Sequence, residues 1–245
     1  RCRLVGSEMC IRDSIMTLPK VEVPTYELEV PSTDEKLKFR PFLVKEEKIL
    51  LMALESKDQG EMINALKDLI KACTFEKFDP DKAPLFDLEY IFLRIRAKSV
   101  GETSTIRVRC DDNETFAEVE IPLEEVNVHV DEEHTNKIDI TDKIKVIMDY
   151  PKVDITMPGD SEVESFFKVI KSCIWQVVDG ETVHERTEMT EAELDEFLGS
   201  LSNNHFKQFR RFFETMPRLK YELEYKQPKT GKTEKRTLEG MQSFF

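Results

Sequence analysis

The sequence predicts an α+β fold: N-terminal strands and helices with a central β-hairpin, then a helical C-terminal lobe that ends in a β-hairpin. Three kinds of signal carry this reading. Apolar residues alternate with polar ones at Tyr26-Leu28-Val30, Ile106-Val108-Cys110 and Leu219-Tyr221-Leu223-Tyr225, the period of a half-buried strand. Elsewhere they recur at spacings of three and four, as in Met62, Ile63, Leu66, Leu69, Ile70 and Cys73, the stripe of an amphipathic helix. Turn-forming clusters such as Pro31-Ser32-Thr33-Asp34 and Asp111-Asp112-Asn113 punctuate the strands.

Taken in order, residues 21–44 read as two strands, with Phe42 and Val44 continuing the alternation of Leu37 and Phe39 past Pro41. Pro24 and Pro41 suit edge positions, where a missing N–H costs little. Residues 45–98 read as helices, the last opening near Pro84 and carrying Leu88, Ile91, Phe92 and Ile95. The central hairpin runs through Ile106 and Val108, turns at 111–113 and returns through Val119 and Ile121. An acidic loop at about 124–136 leads to a strand with Ile144, Val146, Met148 and Tyr150. Pro151 to Gly159 is the expected boundary between an N-terminal α+β lobe, 16–151, and a C-terminal lobe, 160–245. The second lobe opens with one continuous helical stripe, Val163, Phe166, Phe167, Ile170, Cys173, Ile174 and Val177, closed by Asp179-Gly180. Thr190 with Glu193 forms a capping box for a helix burying Leu194, Phe197, Leu198 and Leu201. Phe206, Phe209, Phe213 and Met216 mark another helix, and the final hairpin turns at Pro228 to Gly231.

The first fifteen residues stand apart. The run Arg3-Leu4-Val5-Gly6-Ser7-Glu8-Met9-Cys10-Ile11-Arg12-Asp13-Ser14 resembles a read-through translation of sequencing adapter, so residues 1–15 are expected to be an artefactual leader, with a natural start at Met16.

Composition narrows the function. With 36 basic and 49 acidic residues the net charge is −13, which opposes a nucleic-acid groove, since such a groove displaces counterions with a basic surface. No apolar run approaches the roughly 20 residues of a membrane helix, so no membrane association is expected. Beyond the leader, Cys73, Cys110 and Cys173 are too dispersed for a disulfide framework or a zinc site, and they suit a reducing compartment. The sequon Asn113-Glu114-Thr115 therefore reads as chance.

No catalytic constellation is visible. The eight glycines are nowhere closer than Gly231 and Gly240, which excludes the glycine-rich loops that cradle phosphates and the sharp elbow that presents a nucleophilic serine. His129, His134, His184 and His205 form no metal motif, and Asp79, Asp81 and Asp87 lack the glycine and closing glutamate of a calcium loop. Carboxylate pairs such as Glu46-Glu47, Glu124-Glu125 and Glu132-Glu133 read as solvated surface. The chain is thus expected to be no enzyme and to need no cofactor or metal. Two features suggest contact surfaces instead. Lys207, Arg210 and Arg211 form a basic cluster, either a surface for an acidic partner or a solvated helix face. The ending Leu238, Met241, Phe244 and Phe245 crowds four large apolar side chains into eight residues, to be packed on the C-terminal lobe near Phe209 and Phe213 or docked on a partner.

Several stretches resemble the T4-like tailed-phage baseplate protein family. They are the run from Phe39-Arg40-Pro41-Phe42-Leu43-Val44 to Ile49-Leu50-Leu51-Met52-Ala53, Leu93-Arg94-Ile95-Arg96-Ala97-Lys98-Ser99-Val100-Gly101-Glu102, His134-Thr135-Asn136-Lys137-Ile138, Phe212-Phe213-Glu214-Thr215-Met216-Pro217-Arg218-Leu219, and Leu238 to Phe245. The similarity spans essentially Met16 to Phe245, with these stretches in a specific order. The resemblance implies a baseplate hub subunit working by protein contacts with other hub and tail proteins, made in the host cytoplasm. A transient hub assembly chaperone is the second expectation and a hub peptidoglycan hydrolase a distant third. Some relatives carry a Cys-x-x-Cys where this chain has Cys110-Asp111-Asp112-Asn113, so the resemblance brings no zinc knuckle with it.

Overall fold

A computed structural model describes residues 22–56, 58–110, 115–153 and 162–244. The leader 1–15, the hairpin tip 111–113, most of the expected lobe boundary and Phe245 lie outside the described residues. The fold is α+β, with six α-helices and eleven strands among the described residues, all paired strands antiparallel.

Strands β1 (Tyr26–Glu29) and β2 (Lys36–Phe39) form a hairpin that faces Leu28, Leu37 and Phe39 inward. The alternation stops there. Val44 is the first residue of helix α1 (Val44–Ser56), because the segment after Pro41 turns into a helix rather than extending the strand. Helices α2 (Gln59–Cys73) and α3 (Leu85–Ser99) follow. Asp58 caps α2 by accepting from the Gly60 and Glu61 amides, and Pro84 sits at the N-cap of α3. Helix α3 is buried around most of its circumference, which is how an apolar-all-round helix must sit. One side, with Leu88, Ile91, Phe92 and Ile95, packs on β1, β2 and α2. The other, with Leu93 and Ala97, packs on the hairpin β3 (Thr103–Arg109) and β4 (Phe116–Pro122).

Strand β5 (Asn127–His129) lies inside the stretch expected to be a loop. Three residues are too few to show a period; their place is set by pairing with β10 (Arg218–Lys226), about ninety positions later. β10 also pairs with β11 (Thr233–Glu239). Between β5 and β10 the chain builds a second core. A sheet in the order β6 (Lys137–Asp139), β7 (Ile144–Met148), β8 (Ile174–Asp179), β9 (Thr182–Glu185) is covered by α4 (Glu162–Cys173), α5 (Glu191–Gly199) and α6 (Asn203–Thr215). The expected single stripe from Val163 to Val177 is therefore split. The helix ends at Cys173, and Ile174-Trp175-Gln176-Val177-Val178 is strand, as its aromatic and β-branched residues favour. Gly180 does not end a helix; with φ 60° it makes the β8–β9 turn.

Strand pairing thus crosses the expected 16–151/160–245 division. The terminal hairpin joins β5 and α3, while β6 and β7 join the helices that follow them. The second core reads as an insertion whose two ends, His129 and Arg218, are paired neighbours in one sheet.

A half-buried polar contact fastens this neck. His134 Nδ1 lies 2.9 Å from Thr215 Oγ1 and Nε2 lies 3.1 Å from the Tyr150 hydroxyl, with the ring against Phe212. The Thr215 hydroxyl already donates to the Arg211 carbonyl, so Nδ1–H donates to Thr215 and Nε2 accepts from Tyr150. Burial favours the neutral ring and holds its pKa below the ordinary 6.5, against a weaker opposing pull from Asp131. The contribution of His134 to stability is therefore full above pH 6.5 and lost as pH falls from there through the lower folded value. Urea melts of the wild type and His134→Gln should converge as the pH is lowered across that window; a pH-independent gap would show that the ring is not held neutral.

Candidate interaction surfaces

The buried titratable groups have structural partners. Asp87 accepts from the Ser32 amide and makes a short contact to its hydroxyl, tying the β1–β2 turn to α3. Cys73 and Cys173 are buried thiols pushed by desolvation up to about 11 and about 12, which makes them inert packing groups. Cys110 is buried as well. Among the described residues no group of three or more His, Cys, Asp or Glu is placed to hold a metal ion. No helix among them is long and apolar enough to cross a membrane.

The basic cluster on α6 is divided by the fold. Arg211 pairs with Glu133 of the acidic loop. Arg210 lies over Phe166 and Phe206, 5.8 and 5.5 Å from their centroids, and makes no ion pair among the described residues. Lys207 is exposed one turn earlier. Arg210 stands on the wall of an open groove of about 710 Å³ between α4 and α6, floored by Phe166, Phe167, Phe206 and Phe213. The rings interlock at centroid distances of 5.2 to 5.6 Å. Sequence placed the cations on a helix with phenylalanines; only the fold shows that one of the three is tied to Glu133 and another sits on aromatic faces.

The tail packs on the chain itself. Leu238 is 8% exposed and Phe244 0%, both in the core shared by α3, β3, β4 and β10. Gly240, at φ 71°, turns the chain into a 3-10 turn, Met241–Phe244. The Ser104 hydroxyl donates to the Phe244 carbonyl at 2.8 Å, and the Met241 amide donates to Glu89 Oε1 at 3.3 Å. The contact surface is α3 and β3, not the expected neighbourhood of Phe209 and Phe213, because β10 carries the chain back to the first core. Of the four residues named from sequence, Met241 reaches a surface groove.

That groove, about 610 Å³, lies against α1 and is lined by Phe42, Leu50, Met62, Phe92, Val100 and Met241. Helix α1 is set beside it by the Arg40–Glu46 pair. Arg40 donates from both terminal nitrogens, at 3.1 and 2.9 Å, and the Leu43 amide donates to the same carboxylate at 2.6 Å. Glu46 and Ala53 are buried and Leu50 half-buried, which fixes the inward side at a four-three spacing. The opposite side carries Val44, Leu51 and Met52, 81%, 54% and 59% exposed, with Lys48 and Glu55 between and beside them. The uninterrupted run Ile49-Leu50-Leu51-Met52-Ala53 was the available signal: on a helix it must wrap all round, so half of it faces out.

No curated protein and no solved structure matches the chain. The family described as T4 bacteriophage base plate protein matches residues 23–245, nearly the whole length and every element described above. The chain belongs to the T4 bacteriophage base plate protein family.

Proposed function

We propose that the chain is a structural subunit of the baseplate hub that acts without catalysis, through contacts with other hub and tail proteins assembled in the host cytoplasm. The observation that carries this is α1: a helix whose outward side is apolar beside an apolar groove, a surface that water covers at a cost and a partner covers at a gain. The groove under Arg210, with Lys207 exposed a turn away on α6, offers a second contact, for an acidic and apolar segment of another baseplate protein. Quantitative mass spectrometry of purified particles against infected-cell lysate tests the reading. A fixed copy number in particles is expected. Presence in lysate with absence from particles would replace the structural subunit with a transient assembly chaperone.

A further inference from the structure

We infer that the α1 face is an isologous interface and that its occupant is a second copy of this chain. The inference rests on reading α1 as a contact face, and three observations choose the occupant.

The surface is a ridge beside a groove. The ridge is Val44, Leu51 and Met52; the groove, lined by Leu50, Met62 and Met241, opens along the same helix. An apolar ridge is self-complementary under a two-fold axis: the ridge of each copy packs along the ridge of the other, and Leu51, which also lines the groove, carries the contact to the groove's edge. Two-fold dimers are also the commonest closed assembly. Methionines on both parts let the surfaces adjust to each other.

The charges are self-complementary too. Two α1 helices crossing antiparallel about an axis between Leu51 and Met52 set Leu51 of each copy against Met52 of the other. The same register sets Lys48 of each against Glu55 of the other, so this one ion pair forms twice across the contact. Neither Lys48 nor Glu55 makes an ion pair within the chain among the described residues, so each is available.

The surface suits like-with-like approach. The whole chain carries −13, and two copies repel over most of their area. From Val44 to Ser56 the charges nearly balance, with Lys45 and Lys48 against Glu46, Glu47 and Glu55. Glu46 is also neutralised within the fold by Arg40. This is a place where two acidic molecules can meet without facing carboxylates head on.

Sedimentation velocity on the full chain across a wide concentration range tests the inference. A reversible dimer is expected for the wild type and a monomer for Leu51→Glu, with the thermal melt of the variant measured as monomer unchanged because Leu51 is exposed. Lys48→Glu and Glu55→Lys should each weaken the dimer about tenfold, since each turns two attractions into two repulsions. The double variant Lys48→Glu/Glu55→Lys should recover wild-type association, and so should an equimolar mixture of the two single variants. A wild type that stays monomeric, a dimer that survives Leu51→Glu, or single losses that the double variant does not repair would each overturn the inference. None of these results bears on whether the chain is found in particles, so the hub assignment stands or falls separately.

Discussion

Phe244→Ala is expected to cost about 3–5 kcal/mol of stability, the loss typical of emptying a fully buried aromatic site. Chain ends ordinarily fray, and a residue so near the terminus would ordinarily be dispensable. Here the side chain is fully buried in a cluster with Leu93, Ala97, Ile106, Ile121, Leu123 and Leu238, drawn from α3, β3, β4, β11 and the residue after β4. Its carbonyl is also held by Ser104, a hundred and forty positions earlier. The cavity left by alanine is walled by the β3–β4 hairpin and by α3, which is held in a second apolar cluster on its other side, so the site should close only in part. Urea unfolding should show a lower midpoint with an unchanged slope. Ser104→Ala should lose only about 1 kcal/mol, the net worth of one hydrogen bond. A Phe244→Ala loss below that of Ser104→Ala would mean that the tail is not core, and would return Leu238 to Phe244 to the role of a docking segment.

What could be read from the sequence was local. The Thr190–Glu193 capping box is present as written, because both partners lie within one turn. The alternation in β10 faces Leu219, Leu223 and Tyr225 inward, as a period of two requires. A second capping box, Ser202 with His205, escaped notice because histidine replaces the usual glutamate or glutamine at its third position. Ile174 and Val177 fitted the helical stripe by spacing although they are strand. Their spacing suits either element, so periodicity alone did not separate them; the signal left unused was the β-branched and aromatic run Ile174-Trp175-Gln176-Val177-Val178. Contacts between distant positions left no trace: the β5–β10 pairing, Arg211 with Glu133, and His134 with Tyr150 and Thr215. For that reason the insertion of the second core between β5 and β10 appeared as a division near residue 151. The interaction surfaces divide in the same way. The cations of α6 were visible, whereas the outward side of α1 depends on which of its residues Arg40 and α2 turn inward.

Arg40→Met is expected to destabilise the chain by about 3 kcal/mol, the low end for breaking a buried ion pair by removing one partner. The Arg40 and Glu46 side chains are 15% and 8% exposed, so neither charge is fully in water when alone. Desolvation pushes the Glu46 carboxyl up, but the Arg40 hydrogen bonds and the Leu43 amide outweigh it and hold the pKa below the ordinary 4.5. In the wild type, then, Glu46 contributes stability that is present above pH 4.5 and lost as pH falls through the folded value. Without Arg40 only the Leu43 amide and Lys45 oppose that burial, so most of the depression is lost, and with it most of the stability that the ionised carboxylate brings. The gap between wild type and Arg40→Met should therefore widen from acid to neutral pH, and a gap that stays constant would sink this account. Arg40→Met/Glu46→Leu should recover most of the loss, because apolar groups of similar size replace the pair without an unmatched charge. The same pair decides which side of α1 faces out. Arg40→Met should thus also weaken the α1 dimer, the double variant should restore it, and both readouts trace to one carboxylate that turns Val44, Leu51 and Met52 toward solvent.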